Sequence, residues 1–217
     1  MRKSKAGVSN PLPTFDEELS LISQGYSLVA GLDEAGRGPL AGPVSAGVAI
    51  LPTELTGDWV ELIRDSKQLS PSQREYVLPY LQEAALSLEV GFSSAAEIDE
   101  IGIVNATRLA MTRALNSLPL TPQYLLLDAI ALPESDLPQK SIIRGDATCR
   151  SIAAASIAAK VARDRVMQDA ELEYPGYGFG RHKGYGTKEH MQNLRRLGPC
   201  ALHRRTFAPV RDWQILQ

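Results

Sequence analysis

Apolar and polar positions along this chain fall into blocks of differing period. Ser27 to Asp33 (SLVAGLD) and Pro43 to Ile50 (PVSAGVAI) are short apolar runs of strand character. The segment between them holds too much Gly and Pro for regular structure, so the two runs predict a hairpin-like start to a sheet. Ser87 to Phe92 (SLEVGF) alternates like a strand. Tyr124 to Asp128 (YLLLD) reads as a buried strand, and Lys140 to Arg144 (KSIIR) as another.

Helical signals fill the intervals. Thr14-Phe15-Asp16-Glu17 has capping-box spacing and predicts a short helix to about Gln24, ended by Gly25. Ser70 as cap with Pro71 at the first position predicts a helix to about Ala85. Ala95 to about Leu118 reads as a helix in two pieces, broken at Gly102. Ala147 to about Tyr174 reads as one long helix. Its Ala153, Ala154, Ala155, Ala158, Ala159 and Ala162 permit close packing on a sheet. Residues 175–180 form a loop, and Thr187 starts a last helix that Gly198-Pro199 stops after Leu197. Strands alternating with helices after a hairpin predict an α/β domain with a mixed sheet. The organisation expected is a lead-in and short helix over 1–26, a main domain over 27–174 and a basic helical region over 175–217.

Composition narrows the class. A chain of 217 residues can build a core without a disulfide or structural metal. No apolar run approaches the roughly 20 residues that span a bilayer. No hydrophobic signal core follows the basic Met1-Arg2-Lys3-Ser4-Lys5, so a cytoplasmic protein with no membrane contact is expected. Cys149 and Cys200 fit no CxxC spacing and read as free thiols. Net charge is −2, which argues against a nonspecific nucleic-acid binder, but the charge is unevenly placed. Residues 1–140 carry 10 basic and 18 acidic side chains, residues 141–217 carry 13 and 7. A basic tail on an acidic body suggests contact with a polyanion; a solvated basic face is the plainer alternative.

The acids supply the chemistry. Asp33, Asp128 and Asp146 each end or follow an apolar strand, and Glu34 adjoins Asp33. A carboxylate ending a buried strand is unfavourable unless solvated, paired or bound to a cation. Several meeting at one sheet edge would make an oxygen-rich site for Mg²⁺ or Mn²⁺. Neighbours on a strand point to opposite faces, so Asp33 and Glu34 should diverge; the glycines that follow suggest the chain leaves the strand there and turns both into one cleft. Gly36-Arg37-Gly38 lets backbone groups approach a ligand, and Arg37 suits phosphate. It is neither a P-loop nor a GxGxxG motif.

Read whole, Gly31-Leu32-Asp33-Glu34-Ala35-Gly36-Arg37-Gly38-Pro39-Leu40-Ala41-Gly42-Pro43-Val44 closely resembles the signature of the type 2 ribonucleases H, specifically the bacterial ribonuclease HII family. Further matching blocks follow in order: Asp65-Ser66-Lys67-Gln68-Leu69, Leu127-Asp128, Gly145-Asp146, the stretch from Ser151 to Asp164, His182 to His190, and His203-Arg204-Arg205-Thr206-Phe207. The resemblance spans about residues 27–210. Gln68 stands where lysine is common in that family. The sibling type, ribonuclease HIII, usually carries an additional N-terminal domain, for which the chain before Ser27 is too short.

The resemblance implies an RNase H-like fold with a small helical C-terminal appendage. It implies a site of four carboxylates, Asp33, Glu34, Asp128 and Asp146, with Mn²⁺ or Mg²⁺ as cofactor. The substrates implied are RNA–DNA hybrids and duplex DNA containing single ribonucleotides. Cleavage would run by two-metal-ion hydrolysis, leaving 5′-phosphate and 3′-hydroxyl ends. Gly36, Arg37 and Gly38, helped by Tyr185, would read the ribose 2′-OH, the one group that marks RNA. Lys67, Ser156, Lys160 and Lys183 are candidate phosphate contacts. The tail's Arg181, Lys188, Arg195, Arg196, Arg204 and Arg205 would supply electrostatics toward the backbone. His182, His190 and His203 read as phosphate or structural contacts, and Asp164 as a partner of arginine. A monomer is expected. The competing reading is a catalytically silent nucleic-acid-binding module of the same fold, which predicts a substituted carboxylate. Trp213-Gln214-Ile215-Leu216 has the residues for a docking segment.

Overall fold

The glycine-rich joint connects β1 (Val29–Ala35) to β2 (Val44–Ile50), which pair antiparallel with Ala30 opposite Ile50 and Ala35 opposite Ser45. The computed structural model describes residues 12–213. Residues 1–11 of the lead-in expected within 1–26, and Gln214, Ile215 and Leu216 of the expected docking segment, lie outside it. β3 (Ser87–Ser93) runs antiparallel to β2. β4 (Tyr124–Asp128) runs parallel to β1, and β5 (Gln139–Ile142) parallel to β4. The order β3-β2-β1-β4-β5 is the mixed sheet that the alternation predicts.

Strand parity divides the core between two helical layers. Ala30 and Leu32 of β1, Val44, Ala46, Val48 and Ile50 of β2, and Leu125 and Leu127 of β4 share one cluster. α3 (Ala95–Ser117) covers them with Ala106, Ala110, Met111 and Ala114. On the other face, α2 (Pro71–Ala84) and α4 (Arg150–Glu173) pack Val77, Leu81, Ala154, Ala155 and Ile157 against Ala49 and its neighbours. The fit is tight enough to need glycine in β2: a Cβ on Gly47 would collide with the carbonyl of Ala155. The alanines of α4 and the glycine of β2 therefore act together to bring the helix onto the sheet.

Local end signals hold where nothing competes with them. Ser70 caps α2 in a full capping box with Gln73, and Thr187 caps α6 (Lys188–Leu197) through the His190 amide. Gly102 breaks α3 at φ 78 as expected. Four boundaries differ from expectation. The Thr14 box does not form. The Thr14 backbone bonds to Thr148 and Arg150 instead, Phe15 becomes the cap of α1 (Asp16–Ser23), and Glu17 pairs with Lys140. β1 stays in the sheet through Ala35, so the chain does not leave the strand at Glu34. Gly145–Ala147 forms a 3-10 turn, which delays α4 to Arg150. Within the expected loop over 175–180, one helical turn, α5 (Phe179–His182), begins.

The C-terminal part closes on the β1–β2 joint. Ala41 forms a bridge with His203, and the Leu40 amide donates to the Gly184 carbonyl. Trp213 is buried with Leu40, Leu194 and Val210, so its side chain serves this internal contact rather than docking. No helix among the described residues is long and apolar enough to cross a membrane.

Candidate active site

Sheet geometry gathers the acids. The parallel ladder between β1 and β4 ends at Leu32 opposite Leu127. The next residues, Asp33 within β1 and Asp128 at the end of β4, thus sit side by side on one face, the face toward α4. Asp146 arrives from the turn after β5, and the Gly145 amide donates to Asp128 Oδ1 at 2.8 Å. One oxygen from each of Asp33, Asp128 and Asp146 lies within 4.8 Å of the others. Glu34 is outside that spacing but lines the same cleft, and its Oε1 accepts from Arg37 at 3.1 Å.

The electrostatics are those of crowded buried acids. Burial first, and then the charge of Glu34, hold the Asp33 carboxyl well above the usual carboxylate range. Burial also raises Glu34 against the pull of Arg37. Asp146 is raised by burial and by the charge of Asp65, with Lys67 opposing at 3.4 Å. Asp33 Oδ2 and Glu34 Oε2 are buried without a protein partner among the described residues. An oxygen-only set with orphaned buried atoms fits a hard divalent cation, which would supply the missing charge compensation.

The cleft measures about 270 Å³ and is lined by Asp33, Glu34, Gly36, Arg37, Gly38, Ser66, Lys67, Asp128, Lys160 and Tyr185, with Ala35. A Cβ on Gly36 would run into the Arg163 side chain, and its φ of 93 also demands glycine. Gly38 is different: a Cβ there meets nothing within 4 Å. Among the described residues, three non-glycine residues have positive φ: Ala129, Arg144 and Lys183. Each stands within two residues of a site residue, namely Asp128, Asp146 and Tyr185, a placement typical of strain held at functional positions.

Not every expected contact converges. Ser156 is buried, its hydroxyl 2.8 Å from that of Ser66 and close enough to Asp33 to favour the charged carboxylate there. Ser66, absent from the expected set, takes the place on the lining; only the Asp65-Ser66-Lys67 block pointed to it. Lys183 lines a neighbouring pocket with Arg74, Asp164 and Arg181, and its Nζ donates to the Gly180 carbonyl. Lys160 lies 6.0 Å from the Tyr185 ring centre and pairs with Asp164 at 2.6 Å. Asp164 also meets an arginine, Arg74, at 3.6 Å. In the tail, Arg181 pairs with Glu189. Arg204 departs most from expectation. It is fully buried and bound to backbone carbonyls, so it offers no charge to a polyanion at the surface.

The three histidines form a buried cluster beneath Tyr185. His190 Nδ1 donates to the Tyr185 carbonyl, so its Nε2 accepts from His203 Nε2 at 3.1 Å, and His203 Nδ1 accepts from the Cys200 amide. This pattern requires neutral rings. Burial, and then His190, push His203 down to about 4. Below the unfolded value of about 6.5 the unfolded chain takes a proton that the folded ring refuses until about pH 4, so this contribution to stability is lost across that window. The melting temperature of wild type is therefore expected to fall more steeply between pH 6.5 and 4 than that of His203→Gln. Parallel pH profiles would contradict the assignment. The buried carboxylates are common to both proteins and cancel in the comparison.

A mixed sheet with acids side by side on two adjacent parallel strands is the architecture of an RNase H-like nuclease. The ribonuclease H2 of Pyrococcus horikoshii superposes with a TM-score of 0.72 at 28% identity, over 87% of this chain and 98% of that one. The family model described as Ribonuclease HII matches residues 30–210. A ribonuclease HII of Dehalococcoides mccartyi is 52% identical over 199 residues, covering 92% of this chain and 94% of the relative. One from Leuconostoc mesenteroides is 51% identical over 201 residues, covering 93% and 78%. The chain belongs to the ribonuclease HII family. It is an enzyme, a metal-dependent endoribonuclease of the type 2 ribonuclease H class.

Proposed function

We propose that this enzyme hydrolyses the RNA strand of RNA–DNA hybrids and cuts on the 5′ side of single ribonucleotides embedded in duplex DNA. The products carry 5′-phosphate and 3′-hydroxyl ends. The observation that carries this reading is one cleft uniting a carboxylate cluster with a glycine turn and an accessible aromatic ring. Asp33, Asp128 and Asp146, with Glu34 beside them, would hold two Mg²⁺ or Mn²⁺ ions. Such ions polarise a water and neutralise charge building on the phosphate. The chain's own groups do the rest. Lys67 and Lys160 face the cleft and draw the phosphate backbone toward the acids. The Gly36-Arg37-Gly38 turn offers backbone groups to the 2′-OH. Tyr185, 43% exposed, presents its ring to the neighbouring sugar. The role would be ribonucleotide removal from DNA, in the bacterial cytoplasm where the chromosome lies.

The test is a labelled duplex with one ribonucleotide, run with Mg²⁺, Mn²⁺ or EDTA beside an all-DNA duplex and a continuous hybrid. Metal-dependent cutting 5′ of the lone ribose, with DNA intact, supports the proposal. Tight binding without cutting under any metal would indicate the silent binding module. Tyr185→Ala is expected to lower kcat/KM on the lone ribonucleotide by roughly tenfold or more, the scale of a lost aromatic contact. The exposed ring makes little core contact, so the melting temperature should stay put. An unchanged rate in a folded variant would remove Tyr185 from the site.

A further inference from the structure

We propose that Arg204 is a positioning residue for ribose recognition, one that aims two backbone amides of the glycine turn into the cleft. The inference rests on reading that turn as the 2′-OH reader.

Arg204 is 0% exposed, yet it has no carboxylate partner within ion-pair distance among the described residues. Its guanidinium donates only to carbonyls: Gly36 at 2.6 Å, Arg37 at 2.8 Å, Gly42 at 3.0 Å and Pro43 at 3.2 Å. Arg163, equally buried, lies close enough for the two like charges to oppose each other. Burial, and then Arg163, push Arg204 down to about 9. A buried cation without a counter-ion is a poor stabiliser, and an apolar side chain of similar volume would serve the core better. The arrangement makes sense if the guanidinium holds the backbone in a particular orientation.

Gly36 and Arg37 are consecutive, and both carbonyls point to the same guanidinium. Across a trans peptide, the N–H lies opposite the C=O. The amides of Arg37 and Gly38 therefore point away from Arg204. Neither donates a hydrogen bond within the described residues, and both residues line the cleft. Two successive free amides make a small concave donor site. Each carbonyl held by a cation also polarises its peptide and strengthens the amide on the far side. The open space at Gly38, where a Cβ would touch nothing, leaves room for a sugar beside these donors. Arg163 fixes the other half. It donates to the carbonyls of Ala41, Pro43 and Lys183 and so ties the turn to the segment that carries Tyr185. The Arg204 segment is itself anchored from α3, where Asp99 accepts from the amides of Arg205 and Thr206 and from the Thr206 hydroxyl.

The experiment measures binding of the full chain, in EDTA, to a duplex with one ribonucleotide and to the same duplex in all-DNA form, by fluorescence anisotropy. Arg204→Lys keeps the charge and loses the fork. The ribonucleotide-to-DNA affinity ratio is expected to fall about threefold to tenfold, the worth of one hydrogen bond, with affinity for all-DNA unchanged. Should Arg204→Lys fail to fold, Asp99→Ala, which loosens the same segment from the surface, decides with the same readout. A ratio that stays at the wild-type value, or an equal loss of affinity for both duplexes, overturns the role of Arg204. A wild type without any preference for the ribonucleotide would instead withdraw the reading of the turn, and this inference with it.

Discussion

Asp33→Asn abolishes cleavage while leaving affinity for the hybrid within about twofold. Asp33 supplies one oxygen of the three-carboxylate cluster, and its replacement removes a carboxylate from the group proposed to hold the cations. Charge stabilisation by bound metal amounts to several kcal/mol in the transition state, so the rate should drop by about a thousandfold or more. The fold should not suffer. Asp33 Oδ1 accepts from the Glu34 amide at 2.7 Å, and the asparagine carbonyl can accept the same bond. In metal-free solution the variant should even gain stability. The raised Asp33 carboxyl means that folding is opposed increasingly as pH climbs from the unfolded value toward the folded one, and a neutral amide escapes that opposition. Cleavage assays, anisotropy and thermal melts at pH 7 in EDTA check each part. A rate near wild type would remove Asp33 from the metal site.

Gly47→Val is expected to be the most damaging single change to the fold. The new side chain meets the Ala155 carbonyl, and neither side can yield. β2 is clamped between β1 and β3, and α4 lies across both β1 and β2. Overpacking against fixed backbone costs about 3 kcal/mol, a fall in melting temperature of roughly 6–12 °C for a chain this long. Activity should fall below the transition as well, because α4 carries Lys160 and Arg163 beside the cleft. A melting temperature within 2–3 °C of wild type, a margin of about 1 kcal/mol, would show that the helix can retreat at little cost.

What the sequence disclosed was governed by range. The caps at Ser70 and Thr187 and the limits of β4 depend on a few adjacent residues, and each is formed as read. Thr14 carried an equally good local signal, but its backbone found Thr148 and Arg150, and that distant pairing set the helix start. The acids were visible as strand ends. Their meeting needed the parallel pairing of β1 with β4, which brings Asp33 and Asp128 together from 95 positions apart in the sequence. The spacing also shows why Glu34 stands apart, since β1 remains a strand through Ala35 and parity sends neighbours to opposite faces. Arg204 was the hardest to read. A basic residue in a basic tail looks solvated, and only the closure of the C-terminal part over the β1–β2 joint turns it inward.

The left-handed residues beside the site bear on attempts to harden this enzyme against heat. Each non-glycine residue in that region costs roughly 1–2 kcal/mol relative to an ordinary conformation. A stabilisation programme guided by backbone geometry would therefore rank Ala129, Arg144 and Lys183 first for exchange to glycine. Those three are the positions to leave untouched. Glycine there would relax the backbone on which Asp128, Asp146 and Tyr185 are aimed, exchanging turnover for thermal tolerance. The surface of α3 and the exposed loops offer gains without that exchange.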